Sequence, residues 1–204
     1  MSENARRIVL NVGGNNKNIA IPAHFDGFEH WLLDIDPLGK PDVLCDAREL
    51  DQRVGNEFDA IYCSHNLEHY FWHDAQRVLK GFHHGVKPGG FVDIRVPDLL
   101  SVMDAVLNGK VGLTQPLYQS GAGPIAPLDV IYGFRARIAS SGVDYYAHKT
   151  GFSRQTLHQV VRAAGFSHLY DYRPAAVHEL RIIAFKGPPE PEHLTRLKLP
   201  QPTS

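Results

Sequence analysis

The chain has little of what marks an extracellular, fibrous or membrane protein. It holds two cysteines among 204 residues, Cys45 and Cys63. Both stand in apolar segments, at neither a metal-ligand nor a redox spacing, so reduced core thiols are expected. No run approaches the roughly 20 apolar residues of a membrane helix. No sign of charge prevails: 21 basic residues face 22 acidic ones, a net charge of −1. That balance offers no attraction for a nucleic-acid backbone. The opening MSENARR has no apolar segment behind it, so a cytoplasmic rather than secreted protein is expected. There is no internal repeat. What is present is ordinary for a globular chain, 43% hydrophobic and 21% charged, and the length suits one medium domain.

Apolar runs of strand length recur along the first half. They are Ile8 to Val12, ending at Gly13-Gly14; Trp31 to Ile35, stopped by Asp36-Pro37; Val43 to Cys45, ending on Asp46; Phe58 to Cys63; and Phe91 to Val96, stopped at Pro97. Hydrophobicity that is continuous rather than alternating predicts strands covered on both faces, as in a parallel sheet. Three helices show apolar spacing of i, i+3, i+4, i+7. One carries Ala75, Val78, Leu79 and Phe82 and ends at Lys87-Pro88-Gly89-Gly90. Another carries Leu99, Val102, Met103 and Val106 between an Asp98 N-cap and Gly109. The third carries Leu157, Val160, Val161 and Ala164 between a Ser153 N-cap and Gly165. Two strand-like runs follow, His168 to Tyr172 and Leu180 to Phe185, and look like a closing hairpin pair. Alternating strands and helices predict an α/β doubly wound sheet within a single domain over residues 1–186.

Two stretches break this rhythm. Residues 110–150 are rich in glycine, proline, tyrosine and arginine with weak periodicity, and are expected to be a substrate-side insert. Its polar-aromatic set is Tyr118, Tyr132, Arg135, Tyr145, Tyr146, His148 and Lys149, the kind that lines small-molecule pockets. Residues 187–204 are proline-rich and are expected to form a loose tail.

The strand ends carry the chemistry. A glycine turn at Gly13-Gly14 after the first strand lets a ligand approach the backbone closely, although the spacing is not that of a dinucleotide fingerprint. Asp34 ends the second run, where an acid can accept hydrogen bonds from a ribose diol, and Asp46 closes the third. These three positions fall along one carboxyl edge, where open α/β sheets bind ligands.

In order along the chain stand Asn11-Val12-Gly13-Gly14, Leu33-Asp34-Ile35-Asp36-Pro37, Asp46-Ala47, Phe58-Asp59-Ala60-Ile61-Tyr62, Asn66-Leu67-Glu68-His69 and Val86-Lys87-Pro88-Gly89-Gly90. Together they resemble the motifs of class I S-adenosylmethionine-dependent methyltransferases of the small-molecule type, similar to methyltransferase domain 11. The resemblance spans roughly residues 7–97, and more loosely 150–186. It implies a Rossmann-like sheet of order 3-2-1-4-5-7-6 with the last strand antiparallel, and S-adenosylmethionine as cofactor. It further implies that Asn11, Gly13 and Gly14 lie by the methionine part, Asp34 by the ribose, Asp46 and Ala47 by the adenine, and Ser64 or His65 by the sulfur, with Ile35 also against the cofactor. Where the family usually has an acid this chain has Asn11, and where it has glycines this chain has Asn15 and Lys17. The segment from Asn18 to Phe28 is too proline-broken for a full first helix.

His65, His69 and His73 recur at intervals of four. On one helix they would form a metal-binding stripe, but the helical pattern starts near Asp74, so no metal is expected. His69, His65 and His148 are instead the candidates for proton transfer on the acceptor side. The expected function is methyl transfer to a small molecule, by a monomer or homodimer with no nucleic-acid or membrane partner. The alternative is a catalytically silent adenosylmethionine-binding or interaction protein of the same fold. A nicotinamide dehydrogenase is disfavoured by the glycine spacing.

Overall fold

Strands that read as unbroken apolar runs turn out to feed two cores at once. In β1 (Ile8–Val12), Val9 faces one cluster while Leu10 and Val12 face the other. β4 (Phe58–Ser64) does the same, with Ala60 and Tyr62 on one side and Ile61 and Cys63 on the opposite side. Alternate side chains of a strand leave on opposite faces, so a central strand needs apolar residues at every position. The computed structural model describes residues 6–172, 174 and 176–200. The ends of the expected domain and tail, 1–5 and 201–204, lie outside them.

The remaining sheet strands are β2 (Glu29–Asp34), β3 (Val43–Leu44), β5 (Val86–Pro97), β8 (His168–Asp171) and β9 (Glu179–Phe185); β6 (Tyr118–Ser120) and β7 (Gly123–Ile125) form a separate hairpin. The sheet order is β3-β2-β1-β4-β5-β9-β8. This differs in detail from the expected numbering because the extra hairpin enters the count; among the sheet's own strands, in chain order, it is 3-2-1-4-5-7-6. β1 to β5 pair in parallel, and β9 is antiparallel to both β5 and β8.

The helices are α1 (Leu50–Arg53), α2 (Trp72–Gly85), α3 (Leu99–Leu107), α4 (Pro127–Tyr132), α5 (Arg135–Ser141), α6 (Arg154–Ala163) and α7 (Pro191–Leu197). The expected caps form: the Asp98 side chain accepts from Ser101 N and that of Ser153 from Thr156 N. α2 and α6 bury Val78, Leu79, Phe82, Leu157, Val160 and Val161 on one face of the sheet. Both cysteines are free and buried, and burial pushes their thiols up from the ordinary range. Among the described residues no helix is long and apolar enough to cross a membrane.

Three details differ from expectation. Val86-Lys87-Pro88-Gly89-Gly90 belongs to β5 rather than to a turn before it, but as an irregularity. Val86 pairs with Phe58 and Phe91 with Ala60, so four residues of β5 lie opposite Asp59 alone. The turn chemistry is spent on a bulge. There a Cβ on Gly90 would stand 2.7 Å from the Asp59 carbonyl oxygen. The insert is not merely loop, for it holds the β6–β7 hairpin, α4 and α5, and packs Ile125 and Val130 on Val102 of α3.

The proline-rich tail is not loose. Pro191 starts α7, a position where its missing N–H costs nothing, and Leu194, Leu197 and Leu199 are buried with Val9, Phe25, Phe91 and Phe185. The segment from Asn18 to Phe28 holds only one short 3₁₀ turn, Ala23–Phe25. With no full helix there, the second face of the sheet is closed by Phe25 and α7 together.

Candidate active site

The reversal of strand order between β1 and β4 leaves a crevice at their carboxyl ends, the usual place for a ligand in an open α/β sheet. A cavity of about 860 Å³ occupies it, lined by Gly13, Asp34, Ile35, Ala47, His65 and His69, among others. Its volume lies within the roughly 300–1,000 Å³ of small-molecule pockets.

The floor is built by backbone approach. Gly13 has φ +70°, and a Cβ there would stand 2.1 Å from Asn66 Nδ2, so the turn is left-handed and any side chain would have to displace Asn66. Asn15, where the family resemblance would place glycine, takes φ 64°, a region asparagine tolerates better than most residues. Its N–H donates to Asp34 Oδ2 at 3.0 Å, and Asp36 N–H donates to Asp34 Oδ1 at 3.0 Å. Asp34 therefore ties the glycine loop to the end of β2 while its carboxylate lines the cavity. Lys17 is turned away, its Nζ 2.6 Å from Asp42. It does not line the cavity, so it adds no cation there.

The next wall is charged and clamped. Asp46 caps the turn Ala47–Glu49 by accepting from Arg48 N–H at 2.9 Å. The Arg48 guanidinium also donates to Asp46 Oδ2 from Nε at 3.0 Å and from Nη2 at 2.6 Å, and reaches Asp74 from Nη1 at 3.3 Å. Burial raises the Asp46 carboxyl, but the Arg48 hydrogen bonds outweigh it and hold the group below its usual range. Ala47 and Ile35 add apolar surface beside this pair.

At the far end the chain turns sharply after β4. His65 has φ 51°, a left-handed conformation that a non-glycine residue adopts at some cost. Its Nε2 lies 3.1 Å from Glu179 and its Nδ1 3.4 Å from Glu68. Burial favours the neutral ring, yet the two carboxylates prevail and keep His65 protonated above its ordinary range. The insert is pinned over this turn by main-chain bonds from Lys149 N and Thr150 N to the Glu68 carbonyl, at 2.8 and 3.2 Å. That brings His148 against His69, ring centroids 4.8 Å apart and edge to face. Burial lowers the His148 imidazole below its ordinary value.

The structure thus brings together Gly13, Asp34, Ile35, Asp46, Ala47, His65, His69 and His148 around one cavity. Asn11, Gly14 and Ser64 do not line it. Asn11 is buried, and a Cβ on Gly14 would stand 2.1 Å from its Nδ2, so it lies beneath the glycine loop. Of the insert set, Tyr145, Tyr146, His148 and Lys149 reach the cavity. Tyr132 lines a smaller neighbouring space of about 210 Å³, and Arg135 is held by Asp129 at 2.8 Å. Sequence reasoning assigned no role to Glu68 or Arg48. An acid flanked by apolar Leu67 and by His69 was the available signal for Glu68; nothing local distinguishes Arg48 from a surface arginine.

Residues 33–94 match the family of methyltransferase domains. In three dimensions the chain is similar to an S-adenosylmethionine-dependent methyltransferase from Archaeoglobus fulgidus, with 15% identity, a TM-score of 0.55, and 88% of this chain and 86% of that one covered. The chain has a class I methyltransferase fold. The methyltransferase fold recurs in an S-adenosylmethionine-dependent methyltransferase from Mesorhizobium loti, with 18% identity, a TM-score of 0.54, and 88% and 90% covered. A possible exported protein from Bordetella parapertussis also matches, with 15% identity, a TM-score of 0.52 and 90% of this chain covered; the chain spans 63% of that protein's length. No curated protein matches the sequence significantly.

Proposed function

We propose that this chain transfers a methyl group from S-adenosylmethionine to a small acceptor. One observation carries the reading: a single cavity runs from the Gly13 turn past Asp34, Ile35 and Ala47 to His65 and His69. That succession of close backbone, acid, apolar wall and polar end suits an amino acid, a ribose diol, an adenine and a sulfonium in turn. The residues present fit the cofactor. Asp34 uses one lone pair of each oxygen on backbone N–H groups and keeps others for ribose hydroxyls. When bound, adenosylmethionine supplies an activated methyl carbon.

The chain's own part is to position and to handle a proton. The main chain at Gly13 lets the ligand lie close, and Asp34 orients it through charge-assisted hydrogen bonds. His69 donates from Nδ1 to the Ala147 carbonyl at 3.2 Å, which leaves Nε2 able to accept a proton from an acceptor. Tyr145, Tyr146 and Lys149 cover the acceptor side. Beside this reading we propose a cytoplasmic protein, a monomer or homodimer, with neither nucleic acid nor membrane as partner.

A catalytically silent adenosylmethionine-binding or interaction protein is the second reading, and the Arg48 clamp on Asp46 favours its interaction form, because the acid expected at the adenine is already engaged. Calorimetric titration with adenosylmethionine and adenosylhomocysteine tests both. Binding of both ligands, with methyl transfer in an acceptor screen, is the expected result. Binding without transfer to any acceptor supports the silent binder, and no heat with either ligand overturns the methyltransferase reading and favours the interaction protein.

A further inference from the structure

Glu68 is only 1% exposed, and neither of its carboxylate oxygens has a hydrogen-bond partner. A buried carboxylate in that condition is costly unless a cation or donor answers it. The nearest cationic group is His65 Nδ1 at 3.4 Å, on a ring whose other nitrogen serves Glu179. Two further imidazoles stand near it. One donor atom each from Glu68, His69 and His148 lie within 4.8 Å of one another.

Both rings are held in one tautomer. His69 Nδ1 donates to the Ala147 carbonyl at 3.2 Å and His148 Nδ1 to the Val130 carbonyl at 2.7 Å. A backbone carbonyl that holds Nδ1–H fixes the tautomer and leaves the Nε2 lone pair free, which is how metal-binding histidines are held. The main-chain bonds from Lys149 and Thr150 to Glu68 lock the two segments that supply these donors. His148 also lines both the large cavity and the smaller one beside it, so the cluster sits at their junction.

We propose that Glu68, His69 and His148 bind one divalent transition-metal cation at the acceptor end of the cavity. Two imidazoles and one carboxylate suit Zn²⁺, Co²⁺, Mn²⁺ or Fe²⁺ better than Ca²⁺, which takes oxygen ligands. Donors about 2.0–2.2 Å from a central ion require the three groups to draw together by roughly an ångström. Three protein ligands leave coordination positions open, and an oxygen of the acceptor is the natural group to fill one. With the ion bound, His69 Nε2 is a ligand and no longer a proton acceptor, so the ion takes the place of the imidazole base on the acceptor side. That consequence rests on the methyltransferase reading, and cation binding itself does not.

The test uses full-length protein treated with a chelator and desalted, then titrated with Co²⁺ by visible absorption and with Zn²⁺ by calorimetry. One equivalent of Co²⁺ is expected to bind and give d–d bands, with Zn²⁺ displacing it. Glu68→Gln keeps the side-chain shape, and His148→Asn removes a ring from the insert; each should weaken binding at least about tenfold. Circular dichroism verifies that each variant is folded, and either one alone suffices if the other is not. His73→Asn, at an exposed ring outside the cluster, should bind as the parent does. Absence of d–d bands, or binding that neither variant weakens, overturns the site. Adenosylhomocysteine titration of the metal-free protein reports separately on the cofactor reading.

Discussion

The Arg48 guanidinium grips the Asp46 carboxylate through Nε and Nη2, at 3.0 and 2.6 Å from Oδ2, at the edge of the cavity where an adenine amino group would need that acid. The pair is local, only two residues apart, and a second acid, Asp74, steadies the arginine. On the proposed reading Arg48 thus competes with the adenine for the lone pairs of Asp46 and adds positive potential to a cavity that would hold a cationic sulfonium.

Arg48→Met should therefore tighten adenosylmethionine binding. Freeing one hydrogen-bond acceptor is worth about 1 kcal/mol, close to a fivefold change in affinity. Calorimetry measures it. A loss of affinity instead would show that Arg48 holds Asp46 in its binding geometry.

Asp34→Ala should have two effects. Removing a charged acceptor from a bound diol costs about 1.5–3 kcal/mol, roughly ten- to a hundredfold in cofactor affinity. The ligand-free protein should also melt earlier, because Asn15 N–H and Asp36 N–H lose their acceptor. Unchanged affinity beside a lowered melting temperature would make Asp34 a loop anchor only.

The buried Asp93 makes stability fall in acid. Burial opposes its ionisation, but the His24 ring, with Nε2 at 3.2 Å, and the Arg181 guanidinium prevail and hold its carboxyl below the usual range. Arg181 donates to it from Nε at 2.8 Å and from Nη2 at 2.6 Å. A carboxyl lowered in the folded state stabilises above the unfolded value of about 3.9, and that stability is lost as pH falls towards the folded value. Asp93→Asn should destabilise by about 3–5 kcal/mol at pH 7, since Arg181 stays buried without its partner. Denaturant titrations at pH 7 and below pH 4 should show the gap between parent and variant narrowing in acid.

Leu197→Ala should cost about 2–5 kcal/mol, as for other fully buried leucines. Thermal melting detects this directly. A change near zero would mean that α7 is dispensable and that Phe25 alone closes the second face of the sheet.

Much of the fold is legible in the residues themselves, for reasons that are local. Ile8 to Leu10 and Ala60 to Cys63 are apolar at consecutive positions, which only a strand buried on both faces needs. Ala75, Val78, Leu79 and Phe82 mark one face of α2, and Asp98 and Ser153 cap helices within three residues of themselves. Gly13, Asp34 and Asp46 stand at strand ends, so a parallel sheet alone brings them to one edge. What only the tertiary structure decided depends on contacts between segments distant in the chain. α7 packs on β1 and β9 because the Asn18–Phe28 segment leaves apolar surface uncovered, a shortage no tail residue records. His148 meets Glu68 and His69 because two N–H groups of the insert find the Glu68 carbonyl. Bonds of that kind, from backbone to backbone across a long loop, carry no side-chain signature, so the sequence names the histidines but not their meeting.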